Sequence, residues 1–178
     1  MYKALDIANF FIDMKNSTPE DYTTNLGVNK LVYFAQGCSL ARNDRPLFSE
    51  QIQAWDLGPV VRSVYDAFSP CGNRPISSVY SKYSSELFNA EDLDLLIDVF
   101  NFYGQYTPFA LVNLTHEKDT PWREVYEKGK NNVISPESMK SYFIKHPLQS
   151  VAYALPANTV GYRDPADGLL VLPADYAD

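Results

Sequence analysis

Cysteine and histidine are scarce here. The chain of 178 residues carries two cysteines, Cys38 and Cys71, and two histidines, His116 and His146. Two cysteines make no disulfide framework, and no spacing joins the histidines to further ligands as a zinc site requires. There is no G-x-G-x-x-G, P-loop, G-x-S-x-G, H-E-x-x-H or C-x-x-C, so no enzyme class is indicated by motif. Basic residues are outnumbered, 15 Lys and Arg against 22 Asp and Glu, for a net charge of −7. That opposes direct nucleic-acid binding, which needs cations to displace counterions. No run approaches the roughly 18 apolar residues of a membrane span. Asp6, Asp13 and Lys15 interrupt the apolar residues near the start, so no secretory leader is expected. A cytoplasmic protein with reduced thiols, no cofactor and no metal follows as the expectation.

What the chain does have is core material. It is 46% hydrophobic, with 13 tyrosines and 10 phenylalanines. At this length one self-sufficient domain is expected. The periodicity predicts a mainly α fold, a compact bundle of about six helices with a minor β element near 47–55. Ala4, Leu5, Ala8, Phe11 and Ile12 make one face of a first helix from Lys3 to Met14. Val28, Leu31, Val32, Ala35 and Cys38 form the stripe of a second, from Leu26 to Arg42, capped by Thr24 or Asn25. Gly37 inside it implies close approach of another backbone. Asn89 caps a third, whose core residues read as Leu93, Leu96, Ile97, Phe100 and Tyr103, with Gly104 as its stop. Thr107-Pro108, Thr120-Pro121 and Ser135-Pro136 each open a helix by an N-cap with proline behind it. Residues 76–88 read as irregular, with a short strand around Ser77 to Tyr80. Residues 1–146 form the domain and 147–178 an extension, docked on the domain or on a partner. Its Val151 to Leu155 and Leu169 to Leu172 are too apolar for a free linker.

The chain turns on Ala54-Trp55-Asp56-Leu57-Gly58-Pro59-Val60-Val61. An extended segment leads in, Gly58 turns, and a helix is expected from Pro59 to Phe68 with Val61, Val64, Tyr65 and Phe68 inward. Trp55 is expected to pin strand and helix to one core.

Together with Lys30-Leu31-Val32-Tyr33-Phe34-Ala35-Gln36-Gly37 and Pro46-Leu47-Phe48, this motif resembles the Panacea antitoxin domain family, which includes SocA-like antitoxins and phage GepA-like proteins. A weaker likeness runs through Leu111 to His116 and Thr120-Pro121-Trp122, and the whole covers roughly residues 1–145. The resemblance implies an antitoxin, not an enzyme, that neutralises a cognate protein toxin by direct contact; the acidity suits a basic toxin. Alternatives are a proteolytic adaptor delivering the toxin to a bacterial AAA+ protease, and a phage anti-defence inhibitor. Lys30, Tyr33, Gln36, Trp55 and Tyr65 are candidate partner contacts, polar groups beside aromatic area. Lys30 has a second reading, pairing with a carboxylate inside the domain. Gly37, Gly58, Pro59, His116 and Trp122 read as shaping the fold. His116, followed by Glu117 and Asp119, is also weighed as the base of a hydrolase, alone or with Cys38, against a histidine favoured by a helix C-terminus.

Overall fold

The computed structural model describes residues 1–16, 22–77 and 87–148, together with the backbone of 162–163 and 170–171. Seven α-helices occur among them: α1 (Ala4–Lys15), α2 (Asn25–Arg42), α3 (Arg62–Phe68), α4 (Ala90–Tyr103), α5 (Pro108–His116), α6 (Pro121–Val125) and α7 (Pro136–Lys145). Three strands, β1 (Ile52–Trp55), β2 (Gly58–Val61) and β3 (Val133–Ile134), form an antiparallel sheet in the order β2-β1-β3. Two-residue strands β4 (Tyr162–Arg163) and β5 (Leu170–Val171) pair antiparallel with each other. The fold is mainly α with a minor β element, as expected.

Six elements pack on α2: α1, α3, α4, α5, α7 and β2. Its sequence explains this. From Gly27 to Leu40 it is buried on every side, including Asn29, Lys30, Gln36 and Ser39. A helix apolar on one stripe lies on a surface; one buried all round sits at the centre of a bundle. The one-sided stripe expected for α2 is therefore corrected, since its polar residues are spent on internal hydrogen bonds. Gly37 is also corrected in its reason. A Cβ there would lie 2.1 Å from the ring of Phe143 on α7, so an aromatic side chain approaches, not a backbone.

The caps follow the sequence closely. Thr24, Asn89, Thr107, Thr120 and Ser135 each accept from the backbone amide three residues on, and Pro108, Pro121 and Pro136 each open their helix. On α4 the fully buried residues are Asp92, Leu95, Leu96, Val99 and Tyr103, while Leu93, Ile97 and Phe100 pack at the margin. The rotation arises because Asp92 turns inward. Its side chain has no exposed surface and takes hydrogen bonds from Tyr2, Arg45 and Asn89.

The helix expected from Pro59 begins only at Arg62. Asp56 and Leu57 form a two-residue turn, and the chain returns along β1 with Trp55 opposite Gly58 and Ile52 opposite Val61. Gly58, at φ +98, is in a backbone region closed to a helix. Pro59 sits opposite Ala54, whose amide donates to the Asn132 carbonyl on the far side, so the missing N–H costs no bond. The extended segment expected from Phe48 becomes strand only at Ile52; Phe48 makes a single bridge to Tyr2. Residues 78–80 of the strand expected around Ser77 to Tyr80, and most of 147–178 with its apolar runs, lie outside the described residues; Ser77 itself is not in a strand.

Candidate functional site: the hairpin corner

Helix α2 holds the chain that follows it through side chains. Gln36 accepts from the amides of Leu47 (2.9 Å) and Phe48 (3.3 Å) and donates to the Phe48 carbonyl (2.9 Å). Asn29 accepts from the Val61 amide at 3.1 Å, and Lys30 Nζ donates to the Pro59 carbonyl at 3.0 Å. Strand β2 is a sheet edge, and an open edge leaves backbone groups unpaired. Here Asn29 and Lys30 stand in for the missing neighbour strand.

Lys30 has no exposed surface, and burial lowers its amine to about pKa 7. Its partner is a carbonyl, not the carboxylate weighed from the sequence. The corner around it is tight. A Cβ on Gly58 would lie 2.7 Å from both Lys30 Cε and Thr115 Oγ1. Next to Thr115, His116 stacks on Trp122 with ring centroids 3.7 Å apart and planes at 4°. Tyr126 stacks on Trp122 at 4.3 Å, and its hydroxyl lies 3.0 Å from Asp56 on the hairpin turn. The Trp122 indole donates to the Trp55 carbonyl at 2.9 Å. Burial, then the positive charges of Lys30 and Arg123, lower the pKa of His116, and its Nε2 is buried without a hydrogen-bond partner.

The outer side of the corner differs. Trp55 is half-buried, its ring 4.8 Å from that of Tyr65, with the Arg62 guanidinium 5.6 Å above it. Its indole donates to Gln53 beside it. Leu57, at the turn, is 51% exposed and Tyr65 38%. Trp, Tyr and Arg are the residue types enriched in protein-binding anchors, and here they surround an exposed leucine.

The structure thus divides the candidate partner contacts. Trp55 and Tyr65 come together on this surface. Lys30, Tyr33 and Gln36 do not reach it; Tyr33 is buried with its ring edge-on to Phe34 and Phe143. They shape the core, because α2 is central. The core pin expected of Trp55 is supplied instead by Trp122, which is 1% exposed. Gly37, Gly58, Pro59, His116 and Trp122 all serve packing or backbone geometry. Sequence reasoning missed Asn29, Leu57 and Arg62. Reading Trp-Asp-Leu-Gly as a two-residue hairpin turn would have exposed Leu57 and placed Arg62 on the outer face.

Nothing in this arrangement resembles a nucleophile with its base. Cys38 is buried, and burial pushes its thiol far above the usual range. Among the described residues no three His, Cys, Asp or Glu side chains gather as metal ligands do, and no helix is long and apolar enough to cross a membrane.

Comparison with known proteins places this geometry in context. No solved structure matches the chain at a significant level. Antitoxin SocA of Caulobacter vibrioides (strain NA1000 / CB15N) is 31% identical over 125 residues, covering 65% of this chain and 66% of that protein, just under two thirds of its length. The family model described as "Antitoxin SocA-like, Panacea domain" matches residues 28–123, from α2 through Trp122, which takes in the β1–β2 hairpin and every residue of its corner but Tyr126. That span is more than half of the chain, and the chain belongs to the SocA-like Panacea domain family.

Proposed function

We propose that the protein is an antitoxin that neutralises a cognate protein toxin by direct binding, and that the outer face of the β1–β2 hairpin, with Trp55, Leu57, Arg62 and Tyr65, is a main contact. The kinship to antitoxin SocA carries the reading. The exposed aromatic face supports its location, since the other motif residues of α2 are committed to the interior. A binding role, not catalysis, suits the site: His116 is clamped in a ring stack and Cys38 is sealed in the core. Aromatic anchors within a polar rim occlude a partner's surface without chemistry. The net charge of −7 favours a basic toxin, whose association would slow as salt rises from roughly 0.05 to 0.5 M.

The test is growth rescue. A small protein encoded beside this chain's gene is expressed alone and with it in a bacterial host. Arrest relieved by co-expression, with both proteins purifying as one complex, supports the reading. Relief without a complex removes direct binding, and no arrest by any neighbouring product removes the antitoxin role.

A further inference from the structure

We propose that the β1–β2 hairpin detaches from α2 and α5 with uptake of a proton, so that its opening is a pH-coupled step built into the domain. The proposal rests on the cluster of Lys30, Thr115 and His116 beneath Gly58 and Pro59, and holds whether or not the hairpin face binds a toxin.

Lys30 is sealed by the hairpin corner on one side and Thr115 on the other. An ammonium carries three N–H donors, and the hydrogen bond holding this one is to a single carbonyl, that of Pro59. Charges near it do not compensate. His116 on α5 is the titratable neighbour, and Arg123 on α6 adds a further positive charge to it. Asp56 on the hairpin turn is engaged by Tyr126. Glu117 and Asp119, which follow His116, and Glu124 on α6, which takes the Ser138 hydroxyl, are exposed, as are Asp94 on α4 and Glu137 on α7; the other acids around α2 are engaged elsewhere. Asp66 pairs with Arg62 on α3; Asp98 and Asp92 on α4 pair with Arg42 and Arg45; Asp44 pairs with Lys140 on α7; and on α1 Asp6 takes the Lys3 amide, with Asp13 and Lys15 further along. Burial alone sets the Lys30 value, about 7.

Opening the hairpin gives the amine to water, where it regains about 10.4. Between those two values the open form holds one more proton than the closed form. The opening constant then rises about tenfold for each pH unit lost, and levels off below about pH 7. His116, neutral when closed, extends the dependence below its ordinary value near 6.5.

The experiment is native-state hydrogen exchange at two reporters: the Val61 amide, held by Asn29, and the Trp122 indole, held by the Trp55 carbonyl. Rates are corrected for intrinsic exchange. Between pH 9 and pH 7 the opening constant should rise about fiftyfold in the wild type, the closed amine being half protonated at the lower pH, and stay flat in Lys30→Met. An unchanged wild-type constant, an equal rise in the variant, or reporters that open no more often than the Val99 amide at the centre of α4, as in global unfolding, overturns the proposal. Should Lys30→Met fail to fold, nitrogen NMR titration of the Lys30 amine in the wild type replaces it. A midpoint near 7 together with the wild-type rise supports the proposal; a midpoint near 10.5 overturns it.

Discussion

Replacing Gly58 by alanine tests the packing of the hairpin corner at a single methyl. Two independent costs meet there. The backbone stands at φ +98, where an L side chain is strained by about 1–3 kcal/mol. The new Cβ would also lie 2.7 Å from Lys30 Cε and Thr115 Oγ1. Lys30 is held by its bond to Pro59 and has no exposed surface, so it cannot swing aside; overpacking of this kind costs about 1–3 kcal/mol more. Gly58→Ala should therefore lose about 2–6 kcal/mol in urea denaturation with an unchanged m-value. For a chain of this size that is a fall of at least about 4 °C in melting temperature. Lys30→Ala in the same molecule removes the Cε and makes room. The double variant should then be more stable than the sum of the two losses by about 1 kcal/mol or more, leaving the backbone strain and the Thr115 contact. A Gly58→Ala protein within about 0.5 kcal/mol of wild type would refute the corner as described, and additive losses would refute the contact with Lys30.

Two further substitutions probe α2 and its neighbours. Gly37→Ala gains about 1 kcal/mol of helix propensity but drives a methyl into the Phe143 ring at a cost of about 1–3 kcal/mol, so a net loss of up to about 2 kcal/mol is expected by calorimetry. Asp92→Ala strands Tyr2, Arg45 and the α4 cap together; because Arg45 is part-exposed, the loss should be about 2–4 kcal/mol, below the ~3–5 of a fully buried pair. Burial raises the Asp92 pKa, but bonds from Arg45 and Tyr2 outweigh it and the net value is lowered. Its stabilisation is thus present above the ordinary carboxylate range and lost as pH falls through the folded value, and the wild type and Asp92→Ala should converge in stability there.

The helices were largely legible because their starts are written locally: a Thr, Ser or Asn cap, often with proline behind it, is a short-range signal. The central place of α2 was not, since burial on all sides depends on what packs against it. Lys30, Tyr33 and Gln36 looked like a polar-aromatic interface in one dimension and proved to be core residues, Lys30 and Gln36 completing distant backbone hydrogen bonds and Tyr33 packing by its ring. The hairpin was masked for a related reason. Val61, Val64, Tyr65 and Phe68 carry helical spacing, so the periodicity ran backwards over β2 and hid a strand whose edge is satisfied by a helix 29 residues earlier. Of the surface, the aromatic character of Trp55 and Tyr65 pointed outward, but the inward place that the helical stripe gave Tyr65 is corrected, since α3 buries only Val64 and Phe68; Leu57 depended on knowing the turn.

The most direct measurement of the central claim is the affinity of the purified neighbouring-gene toxin for Leu57→Asp and for the wild type. Leu57 is half-exposed at a turn, so the substitution leaves the core untouched, and melting temperatures should agree within about 1–2 °C. Toxin bound on the hairpin face should be held at least about tenfold more weakly by the variant, chiefly through a faster dissociation rate, and growth rescue should be lost with it. Equal affinity in a variant of equal stability would contradict the hairpin face as the toxin-binding surface.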